Sequence, residues 1–229
     1  MYFLNARELL RMMRTCRTLF RYGAPFVLRD IVLVVRLPYG DVQPPPLLST
    51  YSRMLADPER SASITSLTCN YFVLDNTLGI SSDQFPPFAA HATRIESLVI
   101  QFHREEVMSP AIMQWIASLP KLRQLKLSEY SEAQPSLQLL QSITAPLETF
   151  ELCSMGRFTA VDLIPALSNF ADSLQSLHIT TADRINGPLL RSAGVSFPAL
   201  RDLQWHSCHA SSLTSLPWSR SFPTCRFLK

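Results

Sequence analysis

The chain has 229 residues, of which 47% are hydrophobic and 17% charged, and its formal net charge is +3; this composition is too apolar and too weakly charged for intrinsic disorder. Its six glycines form no GxGxxG pattern and none precedes a lysine, so the sequence lacks the phosphate-binding loops of dinucleotide and ATP enzymes. The longest strongly apolar run, residues 31–35, is far shorter than the roughly 20 residues that cross a bilayer, so we expect a soluble or peripheral protein with no membrane partner.

The positive charge is concentrated at the N-terminus. Residues 1–29 contain six arginines and one glutamate, whereas the rest of the chain has 15 basic and 17 acidic residues. Because that larger part lacks a basic stripe with interleaved aromatic residues, no nucleic-acid partner is predicted. The five cysteines are widely spaced, with no CxxC pair and no secretory signal ahead of them, which favours reduced thiols and a cytoplasmic or nuclear location.

Residues 4–21 are predicted to form an amphipathic helix. Its apolar side would consist of Leu9, Met12, Met13, Cys16, Leu19 and Phe20. Its opposite side would carry Arg7, Arg11, Arg14, Arg17 and Arg21. One interpretation is a helix that covers the first unit of the following repeat and exposes its arginines to solvent. A mitochondrial presequence is an alternative, although the segment is poor in serine and continues directly into a predicted strand.

A repeat with a period of 25 to 36 residues begins at Leu28. Positions 1, 4 and, in all but one copy, 6 are apolar in seven segments: LRDIVL from Leu28, ITSLTC from Ile64, IESLVI from Ile95, LRQLKL from Leu122, LETFEL from Leu147, LQSLHI from Leu174 and LRDLQW from Leu200. A second marker keeps the same register at intervals of 26 residues: Pro120, Pro146, Asp172 and Pro198. Each segment is predicted to be a strand that directs positions 4 and 6 to one side and positions 3, 5 and 7 to the other.

Short helices are predicted between the strands, beginning at Pro110, at Pro135, and at Thr159 or Asp162. Another is expected at residues 47–55, after the proline-rich turn at residues 43–46, for which a proline-motif ligand is a weaker alternative. One strand and one helix cannot bury their own apolar sides. The units should therefore stack into an α/β solenoid with a parallel sheet on its concave face and short helices on its convex side.

The repeat resembles the leucine-rich-repeat family over residues 28–229, with about seven repeats. The family's Asn or Cys at position 9 is matched only by Cys208, which favours an irregular type of repeat. An eighth repeat begins at the C-terminus, where FPTCRFL aligns with FPALRDL and places Cys225 at the position of Leu200 and Leu228 at that of Leu203. A solenoid usually needs a polar cap over its last apolar unit. The sequence shows no such cap after the last repeat, so an exposed apolar end is predicted. It would comprise Leu203, Trp205, Trp218 and Phe227.

The N-terminal segment LLRMMRTCRTLFRYGAPFVLRDIVL resembles the second half of the F-box in fungal F-box/leucine-rich-repeat proteins. Residues 1–27 are thus interpreted as an F-box-like helical remnant that lacks the Leu-Pro dipeptide and first helix of an F-box. The resemblance implies a substrate receptor of an SCF-type ubiquitin ligase. A Skp-family adaptor would then contact Leu9, Leu10, Met12, Met13 and Leu19. The alternative is a free-standing repeat scaffold, or a truncated product without adaptor binding.

Polar residues on the concave face are the predicted binding site for a protein substrate. At position 5, Lys126, Glu151 and His178 would lie on adjacent strands about 5 Å apart, with Glu151 accepting hydrogen bonds from the other two. The full predicted surface is Lys126, Glu151, His178, Gln204, Gln124 and Asp202. The simpler interpretation is a set of solvated cross-strand pairs, each contributing less than about 1 kcal/mol.

Two groups of residues near the same face could suggest catalysis or metal binding. Cys153 lies one predicted strand from His178, but nucleophilic catalysis also needs a third group to orient the base, and the sheet offers no oxyanion hole. His206, Cys208 and His209 resemble a zinc-binding cluster. Consecutive strand residues point to opposite faces, however, which separates Cys208 from its neighbour His209 if the strand continues there. We therefore expect a protein without enzymatic activity, cofactor or metal.

Overall fold

The computed structural model of the chain describes residues 15–16, 18–19, 21–23, 29–34, 57–72, 90–102, 108, 110–129, 135–154, 160–181, 195–207 and 226–227. These residues form an α/β structure around one all-parallel sheet, whose eight strands follow one another in chain order. The strands are β1 Asp30–Val34, β2 Ser66–Phe72, β3 Ser97–Phe102, β4 Gln124–Glu129, β5 Thr149–Ser154, β6 Ser176–Thr181, β7 Asp202–Ser207 and β8 Arg226–Phe227. All seven predicted strands are confirmed.

Short helices occupy the connections between several of the strands. They are α1 Pro58–Ser61, α2 Pro110–Ala117, α3 Pro135–Ser142 and α4 Ala160–Ala166, with a 3-10 helix at Ser168–Phe170. The two longest begin at a proline, whose missing N–H costs nothing in the first turn. Within the described ranges, no helix combines the length and apolar character that a membrane span requires.

The start of α4 decides between the two predicted alternatives. The helix begins at Ala160, which agrees with a start after Thr159 and places Asp162 inside the first turn. There its carboxylate is favourable beside the exposed N–H groups of the helix start. Pro165 lies inside the same helix, and because proline cannot donate to the preceding turn, α4 ends one residue later and continues as the 3-10 turn.

Successive strands keep one register through a recurring backbone contact at position 2. The carbonyl of Glu148 accepts hydrogen bonds from the N–H groups of Gln175 at 2.7 Å and Ser176 at 3.0 Å. The same forked arrangement recurs at the carbonyls of Arg29, Thr65, Glu96, Arg123 and Gln175. Strands β1 to β7 are therefore aligned with one another at their first residues. Among the described strands, the pairing is irregular between Cys69 and Phe72 of β2, where the register shifts against β3.

One face of the sheet and the helices share a continuous hydrophobic core. The core residues at position 4 are Ile31, Leu67, Leu98, Leu125, Phe150, Leu177 and Leu203, all buried. The helices add Ile112, Trp115 and Ile116 from α2, Leu139 and Leu140 from α3, and Leu163 and Ile164 from α4. Each fully buried aliphatic or aromatic side chain contributes about 1.5–3 kcal/mol, so this shared core holds adjacent units together.

The two ends of the chain differ from the sequence expectations in three respects. Within the predicted helix of residues 4–21, Thr15 is in a turn and Cys16 has no regular structure, while residues 18–19 and 21–23 are helical. At the C-terminus, Leu203 pairs with Phe227 and not with Leu228, so the aromatic residue takes position 4 of β8. Leu203 is also only 3% exposed, so the predicted apolar end is wrong at this residue, which packs into the shared core.

Other predictions fall outside the described residues. These are the proline-rich turn at residues 43–46, the helix at residues 47–55, and the side chains of Trp205 and Trp218.

Candidate functional site

The side of the sheet opposite the core is lined by half-buried and exposed side chains, and we call it the open face. It comprises positions 3 and 5 of the first seven strands: Asp30, Val32, Ser66, Thr68, Ser97, Val99, Gln124, Lys126, Thr149, Glu151, Ser176, His178, Asp202 and Gln204. In β1–β3, position 5 is apolar or threonine, and Val32 is 51% exposed. From β4 to β7, every open-face residue is polar or charged. The open face thus changes character along the sheet.

Lys126 and Glu151 form the predicted cross-strand ion pair. They lie opposite each other on β4 and β5, and Lys126 Nζ is 2.6 Å from Glu151 Oε1. Both side chains are more than a third exposed, so solvent screens the attraction and the pair contributes under about 1 kcal/mol to stability. Its main consequence is that two long side chains are held in a defined position on the open face.

His178 contacts a different carboxylate from the one predicted. Although Glu151 lies opposite it on β5, the structure places His178 Nε2 2.7 Å from Asp202 Oδ2 on β7. Gln204, which lies directly opposite His178 on β7, offers no anionic oxygen, whereas Asp202, two residues earlier on the same strand, does. The carboxylate at position 3 is within diagonal reach of a side chain at position 5.

Three donors converge on one oxygen of Asp202. Besides His178, the hydroxyl of Ser176 donates to Oδ2 at 3.3 Å and the amide of Gln204 at 3.5 Å. The hydrogen bond with His178 is the largest of the effects that lower the pKa of Asp202 below its ordinary value, while partial burial opposes them. Asp202 is therefore a fixed anion on the open face at neutral pH.

Ser176 is a member of this network that the sequence prediction missed. It stands two residues before His178 on β6, so both side chains share one face of the strand, and Ser176 Oγ lies 3.1 Å from His178 Nε2. The Ser-x-His spacing on a predicted strand was the available signal.

The grouping of Ser176, His178 and Asp202 does not have the geometry of a hydrolytic triad. In such a triad, serine and aspartate contact different nitrogens of the imidazole, so that the base is oriented from one side and takes a proton on the other. Here both residues contact Nε2. The arrangement fixes the direction of the side chains and does not activate a nucleophile.

A second ion pair lies beside the open face, where the strands begin. Arg123 Nη1 is 2.7 Å from Glu148 Oε1, and the side chains are 58% and 34% exposed. This pair was not predicted from the sequence, although position 2 carries opposite charges in these two consecutive repeats. Two ion pairs therefore connect these two repeats. One lies within β4 and β5, and the other lies immediately before them.

The described cysteines and the candidate metal ligands lie in different surroundings. Burial raises the pKa of Cys69, and backbone hydrogen bonds at Leu19 and Thr18 lower the pKa of the exposed Cys16. Cys153 is half-buried and lies opposite Thr180, with His178 two residues away along β6. His206 is exposed, whereas Cys208 and His209 fall outside the described residues. Among the residues with a described placement, no three His, Cys, Asp or Glu side chains group as a metal site.

The N-terminal residues proposed for adaptor contact are described only in part. Leu19 is 39% exposed and Tyr22 is 73% exposed, whereas Leu9, Leu10, Met12 and Met13 lie outside the described residues.

Neither a protein-family model nor a curated protein matches the chain. Within the described residues, the open face offers the most detailed geometry for a function.

Proposed function

We propose that the chain is a leucine-rich-repeat solenoid that binds another protein through its open face. The strand order, the repeated forked hydrogen bond at position 2 and the shared core of strands and helices all support a stack of similar units. In such a stack the parallel sheet is the extended surface on which a partner can lie.

One observation carries the proposal: the polar side chains of β4–β7 are displayed in register and held by one another. The Lys126–Glu151 pair and the His178–Asp202 contact bring four polar side chains of the open face into two cross-strand contacts. Side chains that are already ordered lose less conformational entropy when a partner binds. A surface that is polar, ordered and supported by a rigid sheet suits the recognition of a protein segment.

A face-blocking substitution tests this proposal. We expect a random library of 12-residue peptides, selected against the purified 229-residue chain, to yield peptides that Thr149→Trp weakens about tenfold or more, because the indole would cover the centre of the open face. Fluorescence anisotropy with the selected peptides measures the affinities.

The matched control is Gln175→Trp, which adds the same indole at an exposed position 2 outside the open face. Peptide affinity should be the same as for the wild-type chain. Selection of no peptide, or peptides that both variants weaken equally, would contradict binding through the open face.

The N-terminal segment supports a more specific form of the proposal, a substrate receptor of an SCF-type ubiquitin ligase. It rests on the resemblance of this segment to the second half of the F-box, and the exposure of Leu19 and Tyr22 is compatible with an adaptor contact. The second candidate is a free-standing repeat scaffold, in which the same helix only covers the first unit.

Titration of the chain with a purified Skp-family adaptor distinguishes the two candidates. We expect saturable binding in isothermal titration calorimetry, and Leu19→Asp should weaken it about tenfold or more by placing a charge in an apolar contact. Thr18→Asp introduces the same charge at the adjacent exposed residue and should have little effect. A folded chain that does not bind the adaptor would leave the free-standing scaffold as the function.

A further inference from the structure

Strand β1 forms one edge of the described sheet. It is hydrogen-bonded to β2 on one side, and β2 is the only described element that packs extensively against it. In each repeat from β2 to β7, the N–H groups at positions 2 and 3 donate to the position 2 carbonyl of the preceding repeat. No described strand offers such a carbonyl to the N–H groups of Arg29 and Asp30. The outer edge of β1 therefore presents backbone groups with which another strand can pair.

The residues of β1 do not protect this edge against pairing. Edge strands are commonly protected by a lysine, a proline, an inward-pointing charge or a bulge. In β1 the only charged residue is the first, Asp30, and the other four residues are aliphatic. Three of these four are β-branched, which favours extended backbone. The strand also keeps a regular register with β2 over all five residues, so no bulge turns its edge away.

The exposure of Val32 shows the effect of the missing neighbour on one side chain. Val32 is 51% exposed, and among the described strand residues it is the only large apolar side chain with such exposure. Val99 has the same residue type at the same position of β3, with a strand on each side, and it is less exposed. The additional exposed area of Val32 is apolar surface that a neighbouring strand would cover.

A strand that continues the sheet beyond β1 needs apolar residues on both of its faces. Ile31 belongs to the shared core, whereas Val32 lies on the open face, so both sides of the new strand would meet apolar neighbours. Strand β1 itself meets this requirement, because it is aliphatic at every residue after Asp30. A second copy of the chain therefore carries a strand that suits this edge.

We propose that β1 pairs antiparallel with β1 of a second copy of the chain, around a two-fold axis at Val32. When both copies use the same edge, the arrangement is two-fold and closes at two copies. In this register Val32 lies opposite its own copy, Ile31 opposite Leu33, and Asp30 opposite Val34. The two Asp30 residues are then about 13 Å apart along the strand direction, so like charges do not meet. This inference does not depend on the proposed binding through the open face.

The oligomeric state of the purified 229-residue chain tests the inference. Because five paired residues make a small interface, we expect a weak dimer with a dissociation constant of about 10–100 μM, measured by sedimentation velocity over a series of concentrations. Val32→Lys and Val32→Glu should each weaken the dimer about tenfold or more, since two like charges would face each other across the axis. An equimolar mixture of these two variants should recover the dimer, because opposite charges would then lie opposite each other.

The matched control is Thr68→Lys. Thr68 lies directly opposite Val32 on β2, so the variant places the same ammonium group on the open face, one strand inside the edge, and the dimer should be retained. Thermal unfolding should show that all three variants are folded. A wild-type chain that stays monomeric at every concentration, equal weakening by Val32→Lys and Thr68→Lys, or a mixture that does not recover the dimer would each overturn this inference. None of these outcomes affects the peptide binding that tests the proposed function.

Discussion

Replacement of Phe150 by alanine should lower the free energy of unfolding by about 3–5 kcal/mol. Phe150 is fully buried at position 4 of β5, and β5 is hydrogen-bonded to β4 on one side and β6 on the other. The loss combines the transfer of a large aromatic side chain with the cavity that remains, because the backbone contacts at position 2 prevent the strands from closing it. Urea denaturation followed by circular dichroism measures this change.

The fluorescence of Trp115 adds a second readout, provided that Trp205 and Trp218 are replaced by phenylalanine in both the reference chain and the variant. Trp115 is buried in α2 and belongs to the same core as Phe150. In a stack of units, each unit is stabilised mainly by its neighbours, so the cavity at β5 should weaken the coupling between the two halves of the sheet. We expect the fluorescence and circular dichroism transitions, coincident in the reference chain, to separate in Phe150→Ala.

Phe150→Leu is the matched substitution for this prediction. Leucine is the residue at position 4 of β2, β3, β4, β6 and β7, so this variant keeps a large apolar side chain of the type that other repeats have at this position. Its cost should be about 1.5 kcal/mol or less. Equal losses for the alanine and leucine variants would show that the size of the side chain at this position does not determine the stability.

The strands could be predicted from the sequence because burial and position coincide. A residue at position 4 or 6 is apolar in nearly every copy, and the side-chain period of a strand is two, so the pattern determines which face is buried. Helix starts were predictable for a local reason, since proline is favoured at the first helical position, as at Pro110 and Pro135. Helices α2 and α3 both begin at these residues.

The contacts of the open face were predictable only where two opposite charges share a position. Lys126 and Glu151 are both at position 5, and register alone brings them together. His178 had two carboxylates within reach, those of Glu151 and Asp202. The choice between them depends on side-chain rotamers, which the repeat pattern does not determine. The end of the sheet was mispredicted for a similar reason, because FPTCRFL can align with β7 in registers that differ by one residue, and β8 adopts the other one.

Substitution of adjacent residues on opposite faces should separate the core from the open face. Leu125→Asn should destabilise the chain by about 3–6 kcal/mol, because Leu125 is only 1% exposed and the new amide would be buried without adequate hydrogen-bond partners. Lys126→Asn places the same side chain one residue later. It removes only a solvent-exposed ion pair, so its cost should be under about 1 kcal/mol.

The same two variants decide the orientation of β4 in the sheet. A shift of one residue would exchange the buried and exposed faces of the strand, and Lys126→Asn would then be the more harmful change. Urea denaturation of both variants under identical conditions gives the comparison. Because Lys126→Asn removes only a solvent-exposed ion pair, a much larger loss in Leu125→Asn would assign position 4 of β4 to the core and position 5 to the open face.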